Sequence, residues 1–109
     1  MANQLDQFFA ALADPTRRAV VERLLDGPAA VGVLHAEHDM ALPTFLRHLK
    51  VLQRSGLVTS TKVGRVRTVE MQPDALAQAA GWFDAHRSMW ERRMDRLAYL
   101  AEHMERTRT

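Results

Sequence analysis

The stretch from Leu42 to Leu57, LPTFLRHLKVLQRSGL, constrains the fold more than any other part of the chain. Leu42, Phe45, Leu46, Leu49 and Leu52 recur at spacings of three and four, with Val51 beside them, so this segment is predicted to be a helix with one stripe turned to a core. The opposite face is left with Thr44, Arg47, His48, Lys50, Gln53 and Arg54. These side chains donate hydrogen bonds, and most can carry positive charge, as a helix lying against phosphates and base edges requires. Gly56 marks the stop, because glycine adopts the left-handed conformation that commonly ends a helix.

Charge is concentrated in the same region. Residues 40 to 69 contain Arg47, Lys50, Arg54, Lys62, Arg65 and Arg67 and no Asp or Glu, whereas acids outnumber Lys and Arg both before and after this block. The net charge of +2 therefore hides a local surplus, the pattern of a nucleic-acid footprint rather than of a generally basic protein. With no cysteine, the chain has no disulfide, no thiolate metal site and no thiol redox chemistry. No apolar run is long enough to span a membrane, and the first residues carry acid before any base, unlike a targeting signal. A cytoplasmic protein is expected.

The flanking segments frame this helix. Leu5, Phe8, Phe9 and Leu12 share one face of a short amphipathic segment, suited to the core or to a subunit interface. Asp14-Pro15 is a strong helix start, with the helix expected to run to about Asp26. Ala19, Val20, Leu24 and Leu25 form its core stripe, and Arg17, Arg18, Glu22 and Arg23 line the other side as structural or solvated residues. Gly27-Pro28 breaks it. Residues 30 to 37 read as a brief helix without a good cap, and Asp39 is a candidate for a left-handed residue in a tight helix-to-helix turn.

After Gly56 the pattern changes to alternation. Residues 57 to 61, a turn near Lys62-Val63-Gly64-Arg65, and residues 66 to 71 form a β-branched hairpin, with Val66 and Thr68 on one face and Arg67 and Val69 on the other. A basic hairpin directly after a basic helix is the wing of a winged helix-turn-helix fold, mainly α with a small β-hairpin. Lys62, Arg65 and Arg67 would then approach phosphates.

From Pro73 to about Met104, Leu76, Phe83, Trp90, Leu97 and Met104 fall every seventh residue, with Ala80, Met94 and Ala101 widening the stripe and Arg87 interrupting it. A helix of some thirty residues spans roughly 45 Å, more than a small domain covers, so its surplus apolar face is expected to meet a second copy of the chain. Gly81 leaves open a division into two helices.

The string ALADPTRRAVVERLL, followed by LRHLKVLQRSGLV, a basic hairpin and a long C-terminal helix, resembles the ArsR/SmtB family of bacterial transcriptional repressors over roughly residues 5 to 105. The resemblance implies one winged-helix DNA-binding domain over 1–109, with its helix-turn-helix in 31–54 and its wing in 57–71. It also implies a homodimer built from residues 1–13 and 73–105, through Leu5, Phe8, Phe9, Leu12, Phe83, Trp90, Leu97 and Met104. Its partner would be double-stranded operator DNA, pseudo-palindromic, and the usual outcome repression. Ala41 stands where the family usually has a capping Ser, and Leu46 where it often has Ser or Gln, so base preference does not carry over. Thr44 and Arg47 are the leading candidates for base edges, with His48 next, while Lys50 and Arg54 suit phosphates.

Neither a metal nor a catalytic centre is expected. Asp84 and His86 match the first half of a metal motif found in some relatives, but Leu97 and Leu100 occupy the second half. His35-Ala36-Glu37-His38 lacks the spacing of a zinc hydrolase helix, and no nucleophile has an adjacent base. A metal- or small-molecule-responsive derepressor is the alternative within the family. A protein-interaction module using Phe83, Trp90 and Tyr99 is the alternative outside it.

Overall fold

The computed structural model describes residues 4–107. They form α1 (Gln4–Leu12), α2 (Pro15–Leu24), β1 (Ala29–Ala30), α3 (Val31–Ala36), α4 (Leu42–Ser55), β2 (Val58–Val63), β3 (Val66–Met71) and α5 (Pro73–Thr107). The chain divides into two compact units, one ending at Ala77 and the other beginning at Gln78.

In the first unit, Phe8 and Ala11 of α1, Val20 and Leu24 of α2, Leu34 of α3 and Phe45, Leu49 and Leu52 of α4 make the core with Leu57, Val58 and Val69. Helix α4 packs on α1, α2 and β2, so it is supported from three sides. The three strands are antiparallel in the order β1-β3-β2. β1 was not foreseen: two alanines carry no periodicity, yet Ala29 and Ala30 pair with Val69 and Thr68.

Local chemistry explains where the helices end. Asp14 caps α2, its Oδ2 accepting from the Arg17 amide at 3.0 Å. The end of α1 is closed by side chains of α2: Arg17 Nε donates to the Ala11 carbonyl at 2.6 Å, and Arg18 Nη1 to that of Leu12 at 2.8 Å. These two arginines are therefore structural, as expected. Gly56 takes φ 88° and ψ 2° after α4, the predicted left-handed stop. A β-carbon there would lie 2.8 Å from the Gln4 side-chain nitrogen, which donates to the Ser55 carbonyl, so the glycine also admits α1 to the end of α4.

Three expectations about the core are corrected. Leu42 and Leu46 are 45% and 42% exposed rather than buried, because they lie at the margin of the α4 stripe beyond Phe45, Leu49 and Leu52. Leu25 is exposed, since α2 ends one residue before it. Asp39 is not left-handed: no non-glycine residue among those described has positive φ. The α3–α4 connection is held instead by His35, whose Nε2 donates to the Met40 carbonyl at 2.8 Å, a geometry that fixes the proton on that nitrogen. The rings of His35 and His38 each lie 5.4 Å from that of Phe45.

Helix α5 supplies every described residue of the second unit and runs unbroken through Gly81, 35 residues from Pro73 to Thr107 or about 52 Å. Phe83, Trp90, Met94, Leu97, Tyr99, Leu100 and Met104 are all exposed. Two polar contacts lie within the helix: Asp84 accepts from Arg87 at 2.9 Å, and His86 Nδ1 donates to the Trp82 carbonyl at 2.8 Å. No helix is long and apolar enough to cross a membrane among the described residues.

Candidate nucleic-acid interface

Because the core stripe of α4 is filled by Phe45, Leu49 and Leu52, its outer face is fixed: Thr44, Arg47, Lys50, Gln53 and Arg54 are all exposed. Pro43 stands in the first turn, and Ala41 precedes the helix without a side-chain cap. No acidic side chain occurs between residues 40 and 69 to offset these cations. The face is hydrogen-bond-donating and positive, and its helix is rigidly seated.

The wing continues this surface. Val63 and Val66 pair across a two-residue turn of Gly64 and Arg65, with Gly64 at φ 63° as the tight connection requires. Lys62, Arg65 and Arg67 are exposed. Arg67 Nη1 donates to Ser60 Oγ at 2.7 Å, which aims the guanidinium across the ladder on the face that also carries Val69.

His48 departs from its expected place at the outer face. Its ring is only 20% exposed and turns toward α2, with Nδ1 3.1 Å from Arg17 Nη1 and 3.6 Å from Asp14 Oδ2. A guanidinium only donates, so in this contact Nδ1 accepts and Nε2 carries the proton. His48 is thus a buttress tying α4 to the start of α2. Burial acts to raise the Asp14 carboxyl, but hydrogen bonding by the Arg17 and Thr16 amides and the Arg17 charge outweigh it and hold the group below its ordinary value. One part of this network is legible locally, the Asp14-Pro15 cap. The contact between Arg17 and His48 spans 31 residues and left no local signal.

Among the described residues no group of three or more His, Cys, Asp or Glu is placed to hold a metal ion. Asp84 and His86, the matching half of the sequence motif, are engaged within α5 by Arg87 and Trp82.

Comparison with known proteins places this geometry. Residues 12–61 match the family model of a helix-turn-helix domain. Over 72 residues, 66% of this chain and 67% of the relative, the sequence is 44% identical to the HTH-type transcriptional regulator Rv2034 of Mycobacterium tuberculosis. A solved ArsR family transcriptional regulator, RHA00566, superposes with a TM-score of 0.76 at 44% identity, covering 82% of this chain and 98% of that one. The chain belongs to the ArsR family. Transcriptional repressor SdpR of Bacillus subtilis is a more distant relative of this ArsR-family protein, 22% identical over 78 residues, 72% of this chain and 87% of SdpR. The winged helix-turn-helix read from the sequence is therefore correct, and the ArsR-family protein is a DNA-binding transcriptional regulator.

The remaining predicted positions fall into two groups. Phe8, expected at an interface, is 1% exposed and belongs to the core of the chain itself, because it faces inward from α1 together with Ala11. Leu5 and Leu12 are half-buried, and Phe9 is 39% exposed. On α5, Phe83, Trp90, Leu97 and Met104 each expose half or more of their surface.

Proposed function

We propose that the protein is a homodimeric repressor that sets one α4 in each of two successive major grooves, about 34 Å apart, of a pseudo-palindromic operator. The observation that carries this reading is the exposed face of α4 and the wing tip, within residues 40 to 69, which hold no Asp or Glu. Thr44 and Arg47, near the start of α4, read base edges. Lys50, Arg54, Lys62, Arg65 and Arg67 hold phosphates and fix the register. His48 acts by positioning α4 rather than by touching DNA.

Dimerisation is supported by the heptad-spaced apolar residues on α5. A stripe of Phe83, Trp90, Leu97 and Met104 left in water is a large exposed apolar patch of the kind that marks a protein interface. Separately, α1 has apolar surface of its own to contribute, with Phe9 exposed and Leu5 and Leu12 half-buried. Where the operator overlaps a promoter, bound dimer excludes polymerase, in keeping with the repressor role that SdpR's name gives that relative. The site of action is the cytoplasm, where a bacterial chromosome lies.

Anisotropy titration against its own upstream DNA tests this reading. Arg47→Ala lowers specific affinity by about tenfold to a hundredfold and relaxes base preference, while light scattering still reports a dimer. Unchanged operator binding by the variant would show that α4 is docked wrongly.

A further inference from the structure

The outer face of α4 is not uniformly polar. Leu42 and Leu46, one helical turn apart, are 45% and 42% exposed, and Val33 of α3 and Val66 of the wing are 51% and 53% exposed. Together with Lys62 and Arg65 these four line one open groove of about 810 Å³ between α3, α4 and the wing. Leu46 immediately precedes Arg47, and Leu42 begins the helix, so both stand at the end of α4 that enters the groove of DNA in the reading above.

We infer that Leu46, assisted by Leu42, is a specificity-determining residue that reads the 5-methyl groups of thymine in the operator. The inference rests on the DNA-reading role of α4 proposed above and refines it. Its occupant follows from charge and chemistry. A groove bordered by Lys62, Arg65 and Arg67, in a block without acid, suits a polyanion. The thymine methyl is the apolar group that base edges present in the major groove, and an alkyl side chain recognises it by contact where no hydrogen bond is available. Leu42 and Leu46 are separated by about 6 Å along the helix axis, a reach of one to two base steps. A leucine here also discriminates against cytosine, whose exposed amino donor would be desolvated without a partner.

The test replaces individual thymines of the bound upstream duplex by deoxyuridine, which removes the methyl and leaves every hydrogen-bonding group in place. Wild-type protein loses about fourfold in affinity for each critical methyl removed, the worth of one buried carbon, and about fifteenfold when both half-sites are changed. Leu46→Ala binds the thymine and deoxyuridine duplexes equally, whereas Leu46→Met retains the preference. A melting temperature near that of wild type shows that Leu46→Ala is folded, as expected for an exposed side chain. The inference is overturned if no thymine responds, or if Leu46→Ala keeps the wild-type ratio, the outcome expected were the groove a seat for another protein. Wild-type protein with no preference for its own upstream DNA over an unrelated duplex would instead remove the DNA-reading role of α4, and this inference with it.

Discussion

Removing the two cations at the tip of the wing has a consequence that can be calculated. Lys62 and Arg65 are exposed and flank the turn at Gly64, so Lys62→Ala/Arg65→Ala leaves the core untouched. Each subunit offers five cations to phosphates, Lys50, Arg54, Lys62, Arg65 and Arg67. For a dimer with all ten engaged, log affinity falls against log salt with a slope of about −9, from about −0.9 per neutralised phosphate. The double variant removes four of the ten, and the slope becomes about −5. Raising salt from 50 to 200 mM then costs wild type about 10⁵ in affinity and the variant about 10³. Anisotropy titrations at several salt concentrations measure both slopes, and base preference should be the same in the two proteins because Thr44 and Arg47 are intact. A variant slope within one unit of the wild-type value would refute the placement of the wing on phosphates. A wild-type slope shallower than about −3 would refute the use of the whole basic block.

Other consequences concern the scaffold. Gly56→Ala puts a β-carbon on a left-handed residue and 2.8 Å from the Gln4 side chain, so unfolding free energy should fall by about 1–2 kcal/mol or more in a denaturant titration. Asp14→Ala removes the α2 cap at a cost of about 1 kcal/mol near neutral pH. The folded-state value of Asp14 is lowered, so its ionised carboxylate stabilises the fold above the unfolded value of about 3.9, and this contribution is lost as pH falls through the folded value. Thermal melts should therefore show the gap between wild type and Asp14→Ala narrowing below about pH 4; a gap that widens in acid would reverse the assigned sign. Leu97→Glu places a charge in the α5 seam, which should weaken the dimer at least tenfold by analytical ultracentrifugation, with operator affinity falling alongside.

Much of this architecture was legible in one dimension because its signals are local. The α4 periodicity, the left-handed glycine after it, the alternation of residues 57–71 and the heptads of α5 are each a spacing that can be read within a single element. What escaped reading lies elsewhere. β1 is two alanines whose pairing is decided by Val69 and Thr68, some forty residues away. His48 looked like a reading residue because its position on the helix abuts the outer face, but Arg17 and Asp14 draw the ring inward. The width of the α4 stripe was overestimated for a related reason: spacing identifies the centre of an apolar face, while the partners across it decide how far burial extends. Leu42 and Leu46 fall outside that limit, which is what makes them available to a ligand.

Sequence-selective binding is the claim on which the rest depends. It is measured most directly by fluorescence anisotropy of the purified protein against its own upstream duplex and an unrelated duplex of equal length, at two salt concentrations. Tighter binding to the upstream DNA is expected at both, with the preference persisting as absolute affinity falls in the higher salt. Equal affinities for the two duplexes, both vanishing with salt, would contradict it and reduce α4 and the wing to a basic patch.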